Sequence, residues 1–273
     1  MTSSSLEILL LIPALIAAGA FAGLIAGLFG VGGGTVIVPA LFYAFAVLGL
    51  GGESNLHVAV GSSLAVIIAT SFRSLAAHRA HGAVDEAVLK TWSPWVALGG
   101  GLGAALAGVS SQEALTVVYA MAVTLVAAQL GLAKESWTLR PDLPGGWGRR
   151  GLGTFIGLLS AMMGVGGGAM GSMLMTLCGR RIHQAVATAS GFGLAIGIPA
   201  TLGFVAFGWD APGRPPLSLG YVNLPAVLVM GLLTGAVAPY GAKLAHRLDR
   251  RMLRRAFAVF LVLTAISIAA KTL

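Results

Sequence analysis

The sequence contains little charge and almost no cysteine. Only 10% of its 273 residues are charged, nine residues are Asp or Glu, and Cys178 is the single cysteine. One cysteine excludes an internal disulfide and a metal site built from cysteines. The histidines and carboxylates form no cluster along the chain. We therefore expect no metal, no cofactor and no enzyme active site.

A basic region that would mark a signal peptide is also missing, because no Lys or Arg precedes Arg73. We therefore interpret residues 6–28 as a helix of the mature chain. Hydrophobic residues are abundant, at 57%, and occur in apolar runs along the whole length. Such runs predict a polytopic α-helical membrane protein. The net charge is +8, and the basic residues lie in short loops between the apolar runs. This position favours a role in orienting the chain in the membrane over nucleic-acid binding.

A glycine-rich pentapeptide occurs twice in the chain. The string GVGGG at 30–34 recurs at 164–168, each time inside an apolar segment. Glycine in a helix interior costs roughly 1 kcal/mol relative to alanine, so three in a row predict a helix break. Backbone exposed at membrane depth is tolerated only where protein or a water-filled cavity covers it. Two broken helices at corresponding positions of two halves indicate the binding site of a transporter.

A polar linker separates two halves of similar pattern. We predict an N-terminal transmembrane repeat at 1–133, a cytoplasmic linker at 134–150 and a C-terminal transmembrane repeat at 151–273. The predicted fold class is an all-α polytopic membrane protein with two inverted repeats, each a glycine-broken re-entrant hairpin plus three transmembrane helices. The six helices are expected at about 58–77, 91–109, 114–133, 184–208, 219–240 and 256–271.

The distribution of basic residues predicts the topology. If both broken segments are re-entrant, 15 of the 17 Lys and Arg residues lie on one side of the membrane. If each broken segment crosses once, the split is nine to eight, which ignores the positive-inside rule. The sequence therefore predicts a multi-pass protein of the cell (inner) membrane with both termini outside the cytoplasm. Two full crossings within the first hairpin would give the same parity, so the charge count leaves that alternative open.

The two breaks predict a site for a small anion. The helix after each break begins near the membrane midplane, where its first N–H groups lack partners and carry partial positive charge. Glycine allows a ligand to approach those groups. Close helix packing is the alternative explanation for the glycines. The candidate ligand residues at the breaks are Gly32, Gly33, Gly34, Thr35, Gly166, Gly167 and Gly168.

Polar side chains after each hairpin are further candidates. The hydroxyls of Ser62, Ser63, Thr188 and Ser190 could donate to an anion, or they could bond within their own helix or to a neighbouring one. Gating or proton-sensitive roles are candidates for His57, His183 and Arg73. Helix capping is the alternative for the histidines, and extension of the side chain to the membrane surface is the alternative for Arg73.

Three strings resemble the TauE/SafE family, the sulfite exporter group. They are GLFGVGGGTVIVP at 27–39, its weaker copy at 161–172, and HVAVGSSL at 57–64. The resemblance covers nearly the whole chain, although Gly171 and Ser172 break the pattern in the second copy. It implies transport of sulfite, sulfoacetate or a related sulfonate, often outward.

The predicted partners are therefore a small sulfur-containing anion and the lipid bilayer. A membrane potential of 100 mV, negative inside, drives each negative charge outward by about 2.3 kcal/mol, so export needs no further coupling. A proton-coupled uptake carrier or a channel for another small anion is the alternative function. The sequence leaves the oligomeric state open.

Overall fold

The structure, a computed structural model, describes residues 3–29, 33–50, 52–132, 139–245 and 250–273. Most of these residues lie in ten α-helices. The helices are α1 (Ser3–Phe29), α2 (Gly34–Val47), α3 (Asn55–Ala80), α4 (Glu86–Val109), α5 (Gln112–Leu132), α6 (Gly146–Met162), α7 (Gly168–Leu177), α8 (Ile182–Phe207), α9 (Leu224–Ala245) and α10 (Arg250–Thr272). A 3-10 turn (Gly52–Ser54) precedes α3, and a short antiparallel hairpin, β1 (Ser218–Leu219) and β2 (Val222–Asn223), precedes α9.

Four helices of the described residues are long and apolar enough to cross a membrane by length and composition. They are α3, α5, α8 and α10. With the shorter apolar helices, they give an all-α polytopic membrane protein, as the sequence predicts. At 1.5 Å per residue, α7 is about 15 Å long and α2 about 21 Å, both too short for a core of about 30 Å. The first helix, α1, is about 40 Å long and could cross alone.

Helices of the first half pack against helices of the second half in a symmetrical pattern. Counted in order, α1 corresponds to α6 and α4 corresponds to α9. The structure packs α1 against α9 and, in the matching arrangement, α6 against α4. The pairs α3–α8 and α5–α10 each join corresponding helices. Two related five-helix units around a pseudo-twofold axis would give this pairing, which supports the proposed repeat.

Glycines bring α1 and α9, and likewise α4 and α6, into close contact. A Cβ atom added to Gly23 of α1 would lie 2.9 Å from the Cα of Thr234 in α9. In the matching pair, a Cβ atom on Gly99 of α4 would overlap the backbone of Thr154 in α6. Small residues that let backbones approach are typical of membrane helix interfaces. Part of the glycine content therefore serves packing.

Several predicted boundaries differ from the structure, and helices α4 and α10 begin at Glu86 and Arg250 rather than near 91 and 256. The helix expected at 219–240 begins only at Leu224, because Asn223 caps it by accepting the backbone N–H of Ala226 at 3.0 Å. The residues before it form the β-hairpin instead. Helix α6 begins at Gly146, inside the predicted linker 134–150, so the described polar segment is shorter than expected.

Candidate functional site

The second glycine break is a well-formed helix stop. At the end of α6, the N–H of Val165 donates to the carbonyl of Ser160 at 2.8 Å, and the N–H of Gly164 donates to Ala161 at 3.1 Å. With Gly164 at φ +68°, this is a Schellman motif. Gly167, at φ +69°, then caps α7. Both positive φ values favour glycine, so the break is encoded by residue type.

The first glycine break is described only at its end. Gly32 and the two residues before it lie outside the described residues. Gly33 caps α2, and its carbonyl accepts the N–H groups of Val36 at 3.1 Å and Ile37 at 2.8 Å. Helix α2 therefore begins at the GVGGG string, as α7 does.

The two breaks touch each other. A Cβ atom added to Gly34 would lie 2.6 Å from the carbonyl oxygen of Gly164 and 2.9 Å from the Cα of Val165. The hydroxyl of Ser63 on α3 donates to the same Gly164 oxygen at 2.8 Å. The structure thus brings three of the predicted elements together: the start of α2, the turn after α6 and a serine of α3.

Other glycines of the breaks differ in the space around them. Cβ atoms on Gly166 and Gly167 would each lie 2.5 Å from an isoleucine side chain of α3 or α8. Among the described residues, a Cβ atom on Gly33 would meet only a flexible side chain of its own helix, and one on Gly168 would have no neighbour within 4 Å. The start of α7 at Gly168 is therefore open to a small ligand, whereas Gly166 and Gly167 are packed.

Thr35 carries an unusual hydroxyl in the first turn of α2. The residue is 1% exposed, and its Oγ1 has no hydrogen-bond partner among the described residues. A buried polar group without a partner costs about 1–3 kcal/mol. The first N–H groups of a helix also have no partner within it. The Thr35 hydroxyl therefore lies in the turn of α2 where a helix presents N–H groups that it cannot satisfy itself.

Ser62 and Thr188 are occupied by backbone groups of other helices. Ser62 Oγ accepts the backbone N–H of Asn223 at 2.9 Å, and Thr188 Oγ1 accepts the backbone N–H of Asp85 at 2.9 Å. Ser190 donates to the carbonyl of its own helix at 2.6 Å. The hydroxyls of Ser62 and Thr188 therefore stabilise the helix arrangement, that of Ser190 bonds within α8, and the structure does not bring these three to the breaks as it brings Ser63.

The two predicted histidines occupy different surroundings. His57 is buried, its Nε2 lies 3.0 Å from the carbonyl oxygen of Ala107, and its Nδ1 has no partner among the described residues. The ring lies 4.8 Å from that of Tyr221. His183 is exposed at the start of α8. The two imidazoles therefore cannot act as an equivalent pair.

Arg73 is exposed on α3, where it lies beside α9. A Cβ atom on Gly235 would lie 3.4 Å from its Nη1. Further back on α3, the side chain of Ile67 contacts both glycine breaks, at Gly34 and at Gly166. Six residues of helix separate Ile67 from Arg73, about 9 Å along the axis. Arg73 is therefore a cation on α3, the helix that contacts both breaks through Ile67, and it lies beyond that contact.

Sequence reasoning missed the segment 208–223, which folds back between α3 and α8. The N–H of Tyr221 donates to the carbonyl of Phe204 at 3.0 Å, and a Cβ atom on Gly61 would lie 2.5 Å from the Tyr221 carbonyl. The signal was Asn223 followed by Pro225, because Asn at the cap and Pro in the first turn mark a helix start. The helix is predicted to begin at 219, before this signal.

Among the described residues, no group of three or more His, Cys, Asp and Glu could hold a metal ion.

Known proteins resemble the chain over nearly its full length. The sequence model of the family described as Sulfite exporter TauE/SafE matches residues 15–268. A probable membrane transporter protein of Haemophilus influenzae is 31% identical over 93% of this chain and 96% of its own. A probable membrane transporter protein of Methanocaldococcus jannaschii is 24% identical over 91% of both chains. No solved structure shows significant similarity to the chain.

Proposed function

Because the chain belongs to the TauE/SafE sulfite exporter family, we propose that this membrane transporter exports a small sulfur-containing oxyanion, such as sulfite or a sulfonate. The proposed site lies between the two glycine breaks. It comprises Gly33, Gly34 and Thr35 at the start of α2 and Gly168 at the start of α7. Ser63 lies beside them and donates to Gly164, so it becomes available to the anion only when the two breaks separate. No catalytic step is assigned to these residues.

The observation that carries this proposal is the buried hydroxyl of Thr35, which has no partner among the described residues and lies next to the contact of the two breaks. Thr35 is buried in the first turn of α2, and Gly34 of the same turn packs on Gly164. Helix N-termini bind anions through free N–H groups and the helix dipole. Oxygen atoms of an oxyanion accept hydrogen bonds from N–H and O–H groups alike. A neutral set of donors also adds no fixed charge to the membrane interior.

Arg73 is proposed as the residue that attracts the anion before it reaches the breaks. It is exposed and lies about one and a half helical turns beyond Ile67, the side chain that contacts both breaks. A cation at that distance raises the local concentration of anions without binding them inside the site. Under the charge-based orientation, Arg73 lies on the cytoplasmic side, where an exported anion begins.

The contact between the breaks favours a carrier over an open channel. Gly34 packs within van der Waals distance of Gly164 and Val165, so the two breaks must separate for an anion to pass between them. A transporter that alternates between states requires such a change. Outward movement follows the membrane potential at about 2.3 kcal/mol per charge and 100 mV. Proton-coupled uptake and channel conduction remain the alternatives to be tested.

The experiment is anion-dependent thermal stabilisation of the purified protein, followed by flux in proteoliposomes. Sulfite, sulfate, thiosulfate, sulfoacetate, taurine and chloride form the panel. A ligand that binds only the native state raises apparent stability by mass action. We expect a selective shift with sulfite or a sulfonate. The Thr35→Val variant keeps the shape of the side chain and removes the hydroxyl, so it should lose most of the shift.

The matched control is Thr35→Ser, which keeps the hydroxyl and should retain both the shift and the flux. A shift of wild-type size in Thr35→Val would show that the anion site does not include the start of α2. No shift with any anion of the panel would contradict the substrate class and leave the fold unaffected.

A further inference from the structure

An apolar groove lies on the side of the protein formed by α1, α2 and α10. Its volume is about 370 Å³. Helix α1 contributes Ala14 and Ala18, helix α2 contributes Ala40 and its neighbours, and helix α10 contributes Phe260. Alanines spaced four residues apart lie on one face of a helix, so they leave a shallow channel along α1. The groove is outside the proposed anion site.

The groove becomes polar toward the end of α10. Thr264 lines it, and Ser267 and Lys271 follow at intervals of three and four residues on the same face. The hydroxyl of Tyr43, which also lines the groove, donates to Ser267 Oγ at 2.6 Å. The ammonium group of Lys271 lies 4.8 Å from the centre of the Tyr43 ring. The groove therefore has an apolar body and a cationic, hydroxyl-bearing end.

Lys271 is an exception to the charge distribution of the chain. Under the re-entrant topology, 15 of the 17 basic residues lie on the cytoplasmic side, and Lys271 is one of two that do not. The side chain is exposed, and among the described residues no carboxylate within ion-pair distance accompanies it. Tyrosine beside it is a residue type enriched where membrane helices meet the headgroup layer.

We propose that this groove binds one anionic phospholipid, with an acyl chain along α1 and α2 and the phosphate at Lys271. The apolar walls match the chain, and the lysine with its neighbouring hydroxyls matches the headgroup. The order of the groups along the groove, from Phe260 through Thr264 to Lys271, is the order of the parts of a lipid. An anionic headgroup is attracted to a cation at a membrane surface by roughly 1 kcal/mol, a factor of about five in affinity.

Native mass spectrometry of the purified protein tests this binding. The protein is equilibrated in micelles with equal amounts of phosphatidylglycerol and phosphatidylcholine of the same chain length. The wild-type protein should retain one phosphatidylglycerol in preference to phosphatidylcholine. Lys271→Gln should reduce that preference about fivefold, whereas Lys271→Arg should keep it. Ala40→Phe and Ala18→Phe, which fill the groove from two different helices, should each abolish retention of the lipid.

The control is Arg214→Gln, which removes the other basic residue of the same side and should leave retention unchanged. Equal retention of phosphatidylglycerol by wild type and Lys271→Gln would overturn the proposal, as would retention by both groove-filling variants. Displacement of the lipid by inorganic phosphate would show an anion site without a role for the groove. Conversion of a dimer to a monomer by Ala40→Phe would identify a second copy of the chain as the occupant and equally overturn it.

Discussion

Thr188 on α8 accepts the backbone N–H of Asp85 at 2.9 Å, and Asp85 caps α4 through its side chain. A matching relationship joins α3 and the start of α9. Ser62 on α3 accepts the backbone N–H of Asn223 at 2.9 Å, and Asn223 caps α9 through its side chain. Ser62 and Thr188 lie 126 positions apart, as do His57 and His183 near the starts of the same two helices. Each half therefore fixes a helix start of the other half.

The first prediction concerns these two hydroxyls. Thr188→Val and Ser62→Ala each remove the acceptor of a backbone N–H, and an unpartnered buried group costs about 1–3 kcal/mol. Both variants should unfold at a lower temperature than wild type in the same detergent. Thr188→Ser keeps the hydroxyl and should be close to wild type. Ser190→Ala is the matched control, because Ser190 bonds only to its own helix. Equal midpoints for Thr188→Val and Ser190→Ala would contradict a tie between the halves.

The second prediction separates a ligand role of the glycines from a backbone role. Gly168→Ala adds a methyl group where no atom of the described part of the chain lies within 4 Å, so the protein should fold normally. The methyl group would cover the start of α7, and flux of the anion should fall. Gly231→Ala adds a methyl group in equally open space on α9 and should leave flux unchanged. Proteoliposome flux at matched protein density measures both. Wild-type flux in Gly168→Ala would show that the start of α7 is not part of the anion site.

Gly167→Ala completes that series. Gly167 has φ +69°, and a left-handed conformation costs a residue with a side chain roughly 1–2 kcal/mol. A Cβ atom there would also lie 2.5 Å from Ile196. The variant should therefore lower the thermal midpoint, unlike Gly168→Ala. The comparison shows which glycines of one GVGGG string are needed for the turn and which for access.

The sequence predicts local features well and contacts between distant segments poorly. The second helix break follows from glycine alone, since Gly164 and Gly167 need conformations that other residues avoid. The contact of Gly34 with Gly164 involves residues 130 positions apart, and no local pattern encodes it. The same holds for Ser62, whose partner in the segment 208–223 is set by tertiary folding. A hydroxyl in an apolar helix is compatible with a ligand, a cap or a helix contact, and only the fold decides among them.

The third prediction concerns Tyr221 of that segment. The ring is 8% exposed and lies between His57, at 4.8 Å, and Phe204, at 6.3 Å between ring centres. Truncation of a large buried aromatic side chain typically costs about 3–5 kcal/mol. Tyr221→Ala should therefore lower the thermal midpoint by several degrees more than Tyr221→Phe, which keeps both ring contacts. Exposed Trp209 provides the control, because Trp209→Ala should change stability little. Similar losses in Tyr221→Ala and Trp209→Ala would contradict a packing role.

The fourth prediction tests the re-entrant topology by cysteine labelling. The single native thiol, Cys178, is buried, and burial raises its pKa, so it should react slowly. The Cys178→Ser substitution first removes this thiol and provides the background for the other variants. Arg140→Cys and Asp210→Cys then introduce one exposed thiol each. Re-entrant hairpins place positions 140 and 210 on opposite sides of the membrane, whereas broken segments that each cross once place them on the same side.

An impermeant maleimide applied to intact cells should therefore label position 210 and spare position 140. Position 140 should react only after the membrane is permeabilised, since the linker that contains it carries four basic residues of the predicted cytoplasmic side. Labelling of both positions, or of neither, in intact cells would mean that the second broken segment, α6 with α7, crosses the membrane once. The second hairpin would then not be re-entrant, and an alternating-access mechanism based on two inverted hairpins would fail.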